Sequence, residues 1–169
     1  MGDVKHYQNS AEAIKKIREI AESTNIGMLC TNLTEMPIST CPMATQKVED
    51  DGEIWFLSGK DSSHNRDIKK DERVQLIYAN PGSSSFLSLY GTAEVSHDRQ
   101  KIDEMWTNLA KVWFPEGKED PNLSLICVKP EEGYYWDTKT NKMIAFLQMA
   151  VSVVTGKMAD GGIEGKLKP

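Results

Sequence analysis

Serines at 58, 62 and 63, His64, Asn65 and the cations Lys60, Arg66, Lys69 and Lys70 all fall within residues 58–70. The apolar run Ile54, Trp55, Phe56 and Leu57 leads into them, and Gly59 follows the first serine. This is a strand entering a polar turn, followed by a short helix over 63–70. Hydroxyls and free backbone N–H groups at a helix start hold phosphate, and nearby cations strengthen that hold. The incoming strand offers a wall for a flat ring. The pairing points to a phosphorylated planar cofactor, with FMN the first candidate. The same residues also fit a purely structural helix cap, and His64 fits a solvated loop histidine as well as a functional one.

Other chemistry finds less support. The three histidines, His6, His64 and His97, lack the spacing of metal ligands. No Gly-x-Ser-x-Gly elbow presents a nucleophile. Gly82 to Ser85 has neither the glycine frame nor the lysine of a phosphate loop, and reads as a turn. No Gly-x-Gly-x-x-Gly supports a dinucleotide fold. The carboxylates Glu49, Asp50 and Asp51 sit in a turn and read as solvated. With no self-contained triad or acid–base pair, an enzyme of this sequence needs a cofactor to carry the chemistry.

Positioning the polar turn requires a frame. Ala13, Ile14, Ile17, Ile20 and Ala21 recur at helical spacing, predicting a helix over 10–23. Strands are predicted over 26–33, 38–49 and 53–58, with Asp50-Asp51-Gly52 as a hairpin turn. Pro42 inside the second strand implies an edge, a bulge or a missing ladder bond. Further strands are expected over 73–79 and 85–96, joined at Asn80-Pro81-Gly82. Gly91 inside the latter predicts a bulge or the close approach of another backbone. Asp98 caps a helix whose stripe runs through Ile102, Met105, Trp106, Leu109, Ala110 and Trp113. Core packing accounts for that stripe, whereas an exposed Trp113 would suit an interface or ring stacking. A polar loop over 114–122, a strand over 123–129, a turn over 130–133 and a short aromatic strand over 134–137 follow. Residues 141–151 fit a helix or an apolar run without phase.

Three strands in succession with no helix between them disfavour a parallel sheet. The fold expected is mainly β: an antiparallel barrel with peripheral α-helices. One domain over 1–150 is expected, with a loosely ordered tail over 151–169.

Composition sets outer bounds. The 169 residues carry a formal net charge of −5, which disfavours nucleic acid or an anionic membrane as a partner of the whole surface. Cys30, Cys41 and Cys127 form neither a disulfide framework nor a zinc motif and read as buried thiols. Their reduced state predicts the cytoplasm. The N-terminus lacks a signal-peptide core, and the run 143–154 is too short to span a bilayer.

Five segments then carry a resemblance: Met43-Ala44-Thr45, GEIWFLSGKDSSHNRDIKKDERVQLIYANP, FLSLYGTAEVSHD, VWFPEGKEDPN and LICVKPEEGYYWD. In this order and spacing the chain resembles the general stress protein 26 branch of the pyridoxamine 5′-phosphate oxidase-like proteins, over roughly residues 10–140. The resemblance implies a split β-barrel and a homodimer with FMN in two interface clefts. Met43, Ala44 and Thr45 would line the edge of the flavin ring, and Leu57 and Ser58 would lie along the ribityl chain and ring. Ser63, His64 and Asn65 would hold the phosphate region, with Ser62 in the same turn. Trp113 and Trp136 would approach the flavin or the dimer seam. Where many relatives have a lysine after the turn serine, this chain has His64-Asn65. The charge then falls to Lys60, Arg66 or a protonated His64. The substrate-clamping basic residues of true pyridoxamine phosphate oxidases are missing, so vitamin B6 oxidation is not expected. What remains is FMN-dependent hydride or electron transfer, with a nicotinamide or small-molecule substrate as the other reactant. The alternatives are a non-catalytic flavin carrier or sensor, or the same barrel using deazaflavin F420.

Overall fold

A computed structural model describes residues 3–4, 10–138 and 162–167 of the chain. Its strands are β1 (Asp3–Val4), β2 (Ile26–Thr31), β3 (Ser39–Val48), β4 (Ile54–Gly59), β5 (Arg73–Asn80), β6 (Ser85–Ser96), β7 (Leu123–Thr138) and β8 (Gly162–Leu167). Its helices are α1 (Ser10–Thr24), α2 (Ser63–Lys70) and α3 (Arg99–Met105), with 3-10 turns at 108–112 and 117–119.

Six strands close a ring. The order runs β7-β4-β3-β2-β5-β6, and β6 pairs with β7 again, all antiparallel. Alternation drives closure. Val74, Leu76 and Tyr78 on β5 are buried, as are Leu87, Leu89 and Ala93 on β6, and together they fill the interior. Helix α1 turns Ala13, Ile17, Ile20 and Ala21 into the same core. It leads directly into the start of β2, and Arg18 Nε donates to the Val48 carbonyl at the end of β3 at 3.1 Å. Helix α2 sits at the opposite end, with Ile68 in the core. There Thr31, the last residue of β2, donates to Asp67 Oδ2 at 2.8 Å.

The barrel is split beside α2. Strand β3 pairs with β4 only through Thr45, Lys47 and Val48, with a register shift between Thr45 and Lys47. Residues 39–44 pair with β2 alone. Pro42 lies in this one-sided stretch, where its missing N–H costs no ladder bond.

The expected turn over 130–133 is instead continuous strand. Strand β7 runs from 123 to 138 and bends at a bulge, because the register to β6 slips between Tyr90 and Gly91. A Cβ at Gly91 would fall 2.1 Å from the Lys129 carbonyl oxygen, so the close backbone approach expected there is present. Pro130 and Gly133 mark this bend rather than a chain reversal.

The helical stripe over 102–113 also differs. Helix α3 is capped by Asp98 as expected, its Oδ1 accepting from Gln100 N at 2.8 Å. It stops at Met105 because Trp106 and Thr107 are extended. The following 3-10 turn changes the phase. Ala110 and Phe114 turn inward with Trp55, Ile102, Met105, Leu123, Leu125 and Cys127, forming a second cluster on the outer side of β4 and β7. Leu109, Val112 and Trp113 turn out.

Within the stretch expected to be a loose tail, residues 162–167 form β8 against the far half of β7, and Leu167 enters the core. The run 141–151 and the rest of the tail lie outside the described residues. No helix among the described residues is long and apolar enough to cross a membrane.

Candidate functional site

The polar turn is built on a buried strand end. Ser58 is enclosed at the end of β4, directly opposite Ser124 in the β4–β7 register. Its Oγ lies 2.8 Å from Asn65 Oδ1 and 2.8 Å from His64 Nε2. Asn65 is fully buried and donates through Nδ2 to Ser124 Oγ at 2.9 Å. Ser124 in turn donates to the Ser58 carbonyl at 3.0 Å. Four residues from a strand, a helix and a second strand thus share one satisfied network.

The turn itself is held from two sides. Ser62 caps α2, its Oγ accepting from Asn65 N at 3.2 Å. The Asn122 carbonyl accepts from Lys60 N at 2.6 Å, and its side-chain oxygen accepts from Asp61 N at 3.2 Å. The Arg66 guanidinium donates to the Asp61 carbonyl. Burial pushes the His64 imidazole below its ordinary value, and the Asp67 carboxylate pulls the other way.

The groups left over are donors without an acceptor. Among the described residues, the N–H groups of Ser63 and His64, the Ser63 hydroxyl and the Lys60 ammonium have no protein partner. Ser63 and Lys60 are exposed. Two free N–H groups at a helix start, a hydroxyl and a cation match the donors a phosphate monoester requires. Arg66, by contrast, spends a donor on its own turn.

The remaining predicted residues divide by face. Met43 and Thr45 turn their side chains into the barrel, where Thr45 Oγ1 lies 2.7 Å from Tyr78 OH. Thr45 N also donates to the Asn25 carbonyl at 2.7 Å. Ala44 faces outward on the one-sided stretch of β3. Leu57 points away from the interior, against the second cluster. Trp113 is 71% exposed and Trp136 41% exposed. Trp136 stacks obliquely on Tyr134, with ring centroids 5.1 Å apart. The sequence reading thus found the turn but missed Ser124 and Asn122. Both lie beyond residue 120, and only the pairing of β4 with β7 brings them to the turn.

The outer face carries one further feature. Ile26, Met28, Ile77, Phe86 and Trp136 are exposed large apolar side chains on neighbouring strands. Met28 is opposite Ile77, and Phe86 is opposite Trp136. Together they form an apolar band across β2, β5, β6 and β7.

Comparisons with known proteins bear on the family and the fold. The family model described as "Pyridoxamine 5'-phosphate oxidase like" matches residues 12–160. Protein bli-3 of Neurospora crassa is 26% identical over 159 residues, covering 88% of this chain and 76% of that protein. A crystal structure assigned to general stress protein 26 from Jannaschia sp. CCS1 superposes with a TM-score of 0.77 at 25% identity, covering 94% of this chain and 99% of the other. The general stress FMN/FAD binding protein of the phytopathogen Xanthomonas citri gives a TM-score of 0.66 at 26% identity, over 77% of this chain and 92% of its own. A six-stranded split barrel and a family model spanning most of the chain place the protein in the pyridoxamine 5′-phosphate oxidase-like family, and its structural neighbours include proteins named for general stress.

Proposed function

We propose that this protein binds FMN and acts as a flavin-dependent oxidoreductase. The observation that carries the reading is the set of unpartnered donors on a buried platform. The free N–H groups of Ser63 and His64, the Ser63 hydroxyl and Lys60 stand over the Ser58–Asn65–Ser124 network. That relatives include a protein named for FMN/FAD binding supports a flavin ligand. The phosphate-binding donors favour FMN over an unphosphorylated flavin. Ala44 and the one-sided backbone of β3 then offer a contact for the ring edge. When bound, the flavin supplies hydride or electron transfer, while the protein supplies binding, orientation and shielding.

A second copy of the chain completes the site in this reading. The exposed band through Ile26, Met28, Ile77, Phe86 and Trp136 supports self-association. The 3-10 turn that presents Leu109, Val112 and Trp113 is a second apolar feature available to a partner.

The test is an absorbance spectrum of the purified protein, recorded after FMN is added and the sample dialysed. Retained, perturbed flavin bands support the reading, and a protein that releases all FMN refutes it. Bleaching of the bound flavin by a nicotinamide supports turnover. Bleaching by dithionite alone points to a carrier or sensor. Retention of F420 in place of FMN reassigns the cofactor.

A further inference from the structure

The hydrogens around Ser58 run in one direction. Ser124 Oγ donates to the Ser58 carbonyl at 3.0 Å, and a carbonyl only accepts. With its one hydrogen used, Ser124 must accept from Asn65, which therefore presents Nδ2 at 2.9 Å. Asn65 Oδ1 is then the atom facing Ser58 Oγ at 2.8 Å, and Ser58 must donate to it. Ser58 consequently meets His64 Nε2, at 2.8 Å, as an acceptor. Ser58, Asn65 and Ser124 are all buried, so water does not reverse the sequence. His64 must carry a hydrogen on Nε2.

In the neutral ring, Nδ1 is then a bare lone pair, and it has no protein partner among the described residues. A phosphate held at this turn would meet either that lone pair or, after protonation, an N–H donor with a positive charge. We infer that His64 serves the anion only as imidazolium, so that binding a phosphorylated ligand is coupled to uptake of one proton at Nδ1. This rests on the phosphate reading of the turn.

The surroundings of the ring are simple. Strand β4 presents Ser58 and the turn presents Ser62, both uncharged. Beyond Ser58, β7 contributes Ser124, also uncharged. Helix α2 presents Asp67, the carboxylate whose field acts on the ring, and β2 holds Asp67 through Thr31. Arg66 is engaged with the Asp61 carbonyl. In the free protein burial keeps the ring neutral to lower pH than usual, and a bound phosphate raises its pKa. The contribution of His64 to affinity is therefore greatest below its free-state value. It falls by up to about tenfold per pH unit between the free and bound values, then levels off.

Isothermal titration of FMN into the full chain, in two buffers of different ionisation enthalpy, counts the protons taken up. Riboflavin, which lacks the phosphate, is the control. The variant His64→Gln keeps an N–H donor for Ser58, and subtracting its proton count removes the titration of the FMN phosphate itself. At a pH between the free and bound His64 values, the expected result is about one proton more for the native chain than for His64→Gln, with FMN and not with riboflavin. Imidazole 15N spectra of the native protein should show an Nε2–H tautomer when free and a raised His64 pKa with FMN. That measurement needs no variant. FMN binding tighter than riboflavin with no change in His64 pKa overturns the coupling and leaves the phosphate reading standing. Equal affinity for FMN and riboflavin, or none for either, removes both. An Nδ1–H tautomer in the free protein overturns the coupling whatever binds.

Discussion

Thr45 Oγ1 and Tyr78 OH meet at 2.7 Å inside the barrel and tie β3 to β5 across the intervening β2. Both residues are buried. Tyr78→Phe should destabilise the protein by about 1–3 kcal/mol, because the Thr45 hydroxyl is left without a partner. The double variant Thr45→Val with Tyr78→Phe should recover part of that loss. Urea unfolding of the two single variants and the double measures the coupling, and strict additivity would refute it.

Gly91→Ala should be far more damaging than its size implies. The new methyl would sit 2.1 Å from the Lys129 carbonyl oxygen and would also crowd Pro130 Cα, at 3.0 Å. Both neighbours belong to the backbone of β7, so no side chain can swing aside. A loss of about 3 kcal/mol or more is expected, at the upper end for overpacking. An unfolding midpoint close to that of the native chain would show that the bulge can slide.

Acid should weaken the attachment of α3. Glu49 accepts from Lys101 at 2.9 Å and lies 3.0 Å from Lys47, which also reaches Glu104 at 2.6 Å. The Lys101 hydrogen bond holds the Glu49 carboxyl below its ordinary value. A depressed carboxyl stabilises the fold above its unfolded pKa, and that contribution fades as pH falls through the folded value. Glu49→Gln should therefore unfold earlier in urea than the native chain at about pH 7, and the difference should shrink as pH falls through the folded value. A difference that persists in acid would assign the effect to packing.

Ser63→Ala should weaken FMN binding by about 1–3 kcal/mol without altering the affinity for riboflavin. Ser63 is exposed and its hydroxyl is free, so the fold should be unaffected. Arg66→Ala should act differently. Its guanidinium supports the Asp61 carbonyl, and its removal loosens the turn itself. Fluorescence titration with both flavins separates the two effects.

Ile77→Glu places a carboxylate in the middle of the exposed apolar band, opposite Met28. If two copies associate there, sedimentation should show dimer for the native chain and monomer for the variant. The variant monomer should stay folded, because Ile77 does not enter the core, and its thermal midpoint should no longer depend on protein concentration. A variant that remains dimeric would move the contact elsewhere, with Trp113 the next residue to replace.

Much of the frame was legible locally. Serine, histidine and asparagine after an apolar strand marked α2, and its capping by Ser62 follows directly from the residue types. Pro42 and Gly91 each announced an irregularity that the barrel contains. The misreadings share a cause. Pro130 and Gly133 look like a turn, yet pairing with β6 on one side and with β4 and then β8 on the other keeps the chain extended. Trp113 keeps the spacing of a helical stripe, yet the break at Trp106 and Thr107 rotates it outward. The platform beneath the turn was half visible. Ser58 and Asn65 lie in one segment, but nothing near Ser124 signals its partnership with them. Only a cross-strand register set by the whole ring does so.

Strand β7 also dictates when the molecule can become whole. It follows the other five ring strands in sequence and covers the exposed edges of both β4 and β6. A nascent chain that has reached only the 3-10 turns therefore holds an open sheet with two adhesive edges. It also lacks Ser124 and so has no finished platform under the polar turn. Folding is tied to the arrival of one late segment, and its rate is governed by long-range pairing rather than by the helices. The newborn protein is most exposed to aggregation in the interval before residues 123–138 leave the ribosome.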